Sequence, residues 1–199
     1  MTPAPQCLSA EETYKILDWL ATERILLPNV HRCSRDSCMV LLMLDAGLRV
    51  GELQKLDVYD LWQFDMPVDS LLIRAEISKS KRDRTVPLTP RIHNSLIQMD
   101  AICWTGEEVN FGCPAFTTGH RDNRMSIRQI QRVIKDIGSL AIKRRLTPHM
   151  LRHTFATRLM RSTNIRIVQS LLGHTSLSST QVYTHPDADD LKKAISGLV

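Results

Sequence analysis

The sequence predicts a mainly α-helical α+β fold with one small antiparallel β-sheet. Three observations predict it. Apolar residues recur at helical spacing behind two capping boxes, Ser9 with Glu12 and Ser126 with Gln129. Two short runs, "LLIRAEI" at 71–77 and "RTVPL" at 84–88, read as strands flanking the polar tip "SKSKRD". Gly47 and Gly173 stand just past apolar runs, where glycine stops a helix.

Taken in order, the first helix starts at Ser9 and turns Ile16, Trp19 and Leu20 to one side. A second, well-buried helix is expected over 34–45, "SRDSCMVLLMLD", and a short one over 51–56. Trp62 and Phe64 in the segment before the first strand are expected in the core. "AFTT" at 115–118 is a candidate third strand. The helix opened by Ser126 carries Ile127, Ile130, Val133, Ile134 and Ile137 on one face. Helix 149–161 presents Leu151, Phe155 and Leu159, helix 165–172 follows, and 191–199 closes the chain with Leu191, Ala194, Ile195 and Leu198 as an apolar stripe. A length of 199 residues suits one domain, with a core over about 9–186 and a tail helix at 187–199.

Hydrophobic residues make up 43% of the chain and aromatic ones 5%, so the core is mostly aliphatic. The five cysteines form no CxxC pair, and His31, Cys33 and Cys38 lack a fourth ligand; free thiols and no metal site are expected. No apolar run is long enough to cross a membrane, and no basic segment leads into an apolar one near the start, so a cytoplasmic location is expected.

The net charge of +5 points to a polyanionic partner, and its distribution says more. Arg128, Arg132 and Lys135 recur opposite the isoleucine face of their helix. Lys143, Arg144 and Arg145 form a second cluster, and the hairpin adds Lys79, Lys81, Arg82 and Arg84. Three basic clusters around the polar motifs favour contact with a phosphate backbone.

Two polar motifs carry chemistry. "TPHMLRHTFATRL" sets His149 and Arg152 on one helix face, with Pro148 at the helix start and His153 pointing elsewhere as a structural histidine. In "LLGHTSLSSTQVYTH", His174 emerges after Gly173, and a short helix capped by Ser178 or Ser179 carries Tyr183, so both side chains can face one cavity. A tyrosine hydroxyl, with a pKa of about 10, becomes a nucleophile when a base takes its proton and cations stabilise the anion. Two arginines suit a phosphodiester and its pentacoordinate transition state. A lysine on the hairpin can protonate the leaving 5′ oxygen.

In this order the stretches resemble the catalytic domain of the tyrosine recombinase (phage integrase) family over roughly residues 10–186, with an Xer-like flavour. "AGLRVGEL" resembles the box holding the first arginine, here Arg49, with Glu52 one helical turn on as a supporting residue. "SKSKRDRTVPL" resembles the hairpin holding the lysine, here Lys79; Lys81, two residues nearer the tip, takes the role if the register differs. "TPHMLRHTFAT" gives His149 and Arg152, and the last motif gives His174 and the nucleophile Tyr183. The resemblance implies cleavage and rejoining of DNA through a 3′-phosphotyrosyl bond, without metal, ATP or other cofactor. It also implies a homotetramer on paired DNA sites, with the C-terminal tail as a link between protomers. The N-terminal helical domain usual in such proteins is expected to be absent, as in an excised catalytic domain or a short invertase-like member. A topoisomerase of the IB kind and a non-catalytic DNA-binding regulator of the same fold are the alternatives.

Overall fold

The computed structural model describes residues 7–26, 29–104, 112–118 and 120–173. The first helix, α1 (Ala10–Leu26), opens with the expected capping box: the Ser9 hydroxyl accepts from the Glu12 amide at 3.0 Å, and the Glu12 carboxylate accepts from the Ser9 amide at 2.9 Å. It packs on α2 (Val30–Asp45), the spine of the molecule, in which every residue from Cys38 to Asp45 is buried. This helix begins four residues before the predicted start, because Asn29 caps it by accepting from the Arg32 amide at 3.0 Å. Gly47 ends the run as expected, with φ +64°; a Cβ there would stand 2.6 Å from Cε1 of Phe155, so the position needs glycine for conformation and for space.

The short helices α3 (Val50–Gln54) and α4 (Val58–Leu61) follow, and then two tight hairpins. β1 (Trp62–Gln63) pairs with β2 (Met66–Pro67), and β3 (Ser70–Ile73) pairs with β4 (Arg84–Pro87), both antiparallel. Trp62 is buried and meets Trp104 edge to face at 6.5 Å. Phe64, expected in the core, is 87% exposed. It sits at the β1–β2 turn with φ +52°, and that left-handed turn sends its ring outward. The predicted strand 71–77 stops at Ile73, because the amides of Ile77 and Ser78 both turn back to the Arg74 carbonyl.

Helix α5 (Pro90–Ile102) was not legible in the strand-like reading of its approach; Thr89 caps it, Pro90 fills the first turn, and Ile92, Leu96 and Met99 bury against α2. β5 (Thr117–Thr118) and β6 (His120–Arg124) make a third two-stranded sheet. Among the described residues the strands thus form three separate ribbons rather than one sheet.

Helix α6 (Ile127–Ala141) starts at the second expected capping box and buries Ile130, Val133, Ile134 and Ile137; Ile127, in the first turn, is 41% exposed and lies off that face. α7 (Pro148–Met160) crosses α2, and α8 (Ile165–Leu172) packs on α7 over a small satellite core of Ala156, Val168 and Leu172. Phe155 and Leu159 border that satellite core rather than the main one. Gly173 closes α8 in the left-handed conformation, φ +61°, as the sequence predicts. The predicted helix at 191–199 lies outside the described residues. Among the described residues no helix is long and apolar enough to cross a membrane.

Candidate active site

Glu52 is the centre of the site. It lies on α3, and only 1% of its side chain is exposed. Its Oε2 accepts from the Arg49 amide at 2.8 Å, which closes the first turn of α3, and its Oε1 accepts from Arg49 Nη1 at 2.9 Å. Arg84 binds the same carboxylate in fork geometry, Nη1 to Oε1 at 2.9 Å and Nη2 to Oε2 at 2.7 Å. Arg152 Nη1 stands 3.9 Å from Oε2. Three guanidinium groups therefore share one carboxylate, and the cluster keeps an excess of positive charge at a largely buried position.

Arg152 comes from the first turns of α7. Thr147 caps that helix at the Met150 amide (3.2 Å), and Pro148 follows the cap. The Arg152 guanidinium donates to the carbonyls of Gly47 and Leu172, the latter at 2.8 Å, so it joins the end of α2 to the end of α8. Arg84 does the same from the hairpin, donating Nε to the Leu171 carbonyl at 3.0 Å. The last carbonyls of α8 are thus held by two arginines immediately before His174.

Burial pulls the Glu52 carboxyl upward. The hydrogen bonds and charge of Arg84, the Arg49 amide and the charge of Arg152 outweigh it and hold the group below the usual carboxylate range. A depressed folded pKa stabilises the protein above the ordinary carboxylate pKa of about 4.3, and that stability is lost as pH falls through the folded value. The urea midpoint of the wild type should therefore drop steeply below about pH 4, and less steeply in Glu52→Gln. Parallel acid limbs for the two proteins would show that Glu52 does not carry the effect.

The sequence-predicted residues fall into three groups. Arg49, Glu52 and Arg152 converge as described. His149 is exposed on the first turn of α7, with its ring lying nearly parallel to that of buried His153 at 6.1 Å. Lys79 and Lys81 are exposed in the turn between β3 and β4, and Lys81 takes a left-handed conformation, φ +50°. His174 and Tyr183 lie outside the described residues.

Among the expected DNA contacts, Arg82, Arg128, Arg132, Lys135, Lys143 and Arg145 are exposed; the three on α6 face away from its buried isoleucines. Two expectations need correction. Arg84 is 7% exposed and is turned inward onto Glu52, not out to a DNA backbone. Arg144 is half-buried and binds both oxygens of Glu12, one of them Oε2 at 2.8 Å, so it ties the loop before α7 to α1. The signal for Arg84 was present: in "RTVPL" strand alternation places Arg84, Val86 and Leu88 on one face, and all three are buried.

The chain is similar to known proteins in sequence and in fold. The model of the phage integrase family matches residues 7–190. The tyrosine recombinase XerC of Haemophilus ducreyi is 40% identical over 161 residues, which are 80% of this chain and 50% of that protein. The tyrosine recombinase XerA of Pyrococcus furiosus is 33% identical over 195 residues, covering 96% of this chain and 61% of that protein. The crystal structure of XerA recombinase superposes with a TM-score of 0.76 at 28% identity, over 98% of this chain and 64% of that one. The chain spans about half to three-fifths of the length of these curated relatives. The helical fold with its small antiparallel hairpins is that of a tyrosine recombinase catalytic domain. With the match running through the arginine cluster and almost the whole length, the chain belongs to the phage integrase family.

Proposed function

We propose that this chain is the catalytic unit of a site-specific recombinase that cuts and rejoins double-stranded DNA. The observation that carries the reading is the arginine cluster on Glu52. It holds more positive than negative charge, and Arg49 reaches partly into solvent with 24% of its side chain exposed. Such a cluster complements a phosphodiester whose charge grows in the transition state. The relatives named above are tyrosine recombinases, which agrees with this chemistry.

In the proposed reaction the Tyr183 oxygen attacks phosphorus. A Tyr183 Oη–P bond forms, and the P–O5′ bond breaks with its electron pair on O5′. His149 assists removal of the tyrosine proton, and Lys79 gives a proton to O5′. Arg49 and Arg152 hold the non-bridging oxygens, joined by His174. Rejoining is the same path in reverse with a 5′-hydroxyl from a partner strand. The bond energy stays in the protein–DNA linkage, so no cofactor is required. The exposed Arg128, Arg132 and Lys135 of α6, together with Lys81, Arg82, Lys143 and Arg145, are proposed backbone contacts.

The test is covalent trapping. The chain is incubated in EDTA with a library of nicked duplexes and denatured in SDS, and the attached DNA is sequenced. The expected result is an adduct from the wild type and none from Tyr183→Phe, with the recovered sequences defining the site. Intact DNA binding without any wild-type adduct would sink the reading.

We also propose assembly as a homotetramer on paired sites, with residues 187–199 bridging protomers. Deleting 187–199 is then expected to impair strand exchange between two sites far more than binding to one site. Equal loss in gel-shift and recombination assays would count against a bridging tail.

A further inference from the structure

The hairpin that carries Lys79 and Lys81 takes its register from one buried face, on which Leu71, Ile73, Val86 and Arg84 lie. It is a two-stranded ribbon of four residue pairs, Ser70–Pro87 to Ile73–Arg84, and such ribbons are marginal on their own. Its turn is closed by local bonds. The Ala75 amide donates to Asp83 Oδ1 at 2.6 Å, the Ser78 and Ser80 hydroxyls lie 2.8 Å apart, and the Lys81 amide reaches the Ser78 carbonyl at 3.2 Å. At the other shoulder Arg74 reaches Asp60 on α4 at 3.1 Å, away from the Glu52 cluster.

Arg84 makes the tie to the cluster. It is the first residue of β4 and faces inward, like Val86, while Thr85 and Pro87 face out. On β3, Leu71 and Ile73 face inward in the same way. A slip of one residue would exchange these faces and would push Arg84 into solvent and Thr85 onto Glu52. Three hydrogen bonds oppose that slip, two to the Glu52 carboxylate and one to the Leu171 carbonyl. Close packing opposes it too: a Cβ on Gly173 would stand 2.9 Å from Arg84 Cδ, so the end of α8 leaves room for this side chain. One guanidinium thus sets the hairpin, α3 and the residue before His174 against one another.

We propose that Arg84 is a positioning residue: it keys the hairpin register to the Glu52 cluster, so that the hairpin lysine meets the departing 5′ oxygen while the arginines hold the phosphate. The assignment rests on the reading of this chain as a DNA-cleaving recombinase. Arg84 acts through the lysine and touches neither phosphate nor leaving group. Loss of Arg84 should therefore remove the benefit of general-acid catalysis and leave the phosphate contacts of Arg49 in place.

A leaving-group comparison tests this. Single-turnover cleavage is measured at the site recovered by trapping, on a normal duplex and on one with sulfur replacing O5′. A thiolate leaves without a proton, so the sulfur substrate does not need the lysine. Arg84→Gln is expected to cleave the normal duplex about 100-fold more slowly than the wild type, and the sulfur duplex within roughly tenfold of it. Lys79→Ala should give the same pattern, and Arg84→Lys, which keeps the charge but not the fork, should restore part of the loss. Equal slowing on both substrates, or no slowing, overturns the proposal. Should Arg84→Gln fail to melt cooperatively, Arg84→Lys carries the same comparison. A wild type that forms no adduct in the trapping step overturns the recombinase reading and this proposal with it. A wild type that cleaves both keeps that reading whatever the Arg84 variants do.

Discussion

Glu52→Ala is expected to lower the unfolding free energy by about 3–5 kcal/mol, a large share of what holds a domain of this size together. The carboxylate accepts four hydrogen bonds, from the Arg49 amide, Arg49 Nη1 and both Nη atoms of Arg84. Its removal leaves Arg84 and Arg152 facing each other's charge with only 5% and 6% of their side chains exposed. Unpaired buried charge is what makes breaking such a cluster costly. The α3 turn also loses its first bond, because Glu52 holds the Arg49 amide. Glu52→Gln keeps the shape and some acceptors and should lose less. Urea titration of the three proteins checks this. A loss below about 1 kcal/mol for Glu52→Ala, the size of a surface pair, would contradict it.

Arg49→Ala should behave in the opposite way, with cleavage slowed by about 10²–10³-fold and stability nearly unchanged. The Arg49 side chain is 24% exposed, and its ion pair goes to Glu52 Oε1, an oxygen that Arg84 also serves. The amide that closes α3 survives the substitution. Arg152→Ala should lose both activity and stability, because Arg152 also satisfies the buried carbonyl of Gly47 and the last carbonyl of α8. Single-turnover cleavage beside thermal melting separates the cases. Equal destabilisation by the two substitutions would mean that Arg49 is a structural residue and not the phosphate ligand.

This contrast between two arginines was only half legible beforehand. The boxes around Arg49 and Arg152 stand out in the sequence, because the residues that make one helical turn lie next to each other in the chain. The structure adds that one guanidinium is open to solvent and the other is held by α2 and α8. Glu52 shows the same limit. Its place one turn from Arg49 suggested support for the site, but nothing local shows that Arg84, 32 residues away, takes both of its oxygens.

The chain alone specifies the helices with strong caps and periodic apolar faces, α1 and α6 above all, and the glycine stops at 47 and 173. These depend on contacts within a few residues, which the chain spells out directly. It also determined the order of the polar boxes, and so the family. Three-dimensional packing sets which charges are surface and which are core. Arg84 and Arg144 read like their basic neighbours, yet each meets a carboxylate brought from a distant segment, Glu52 and Glu12. It also decided that the strands close as three ribbons and that the ring of Phe64 turns outward. Strand pairing and charge pairing join residues far apart in the chain, and the partner that arrives is fixed by the packing of the whole core rather than by any local pattern.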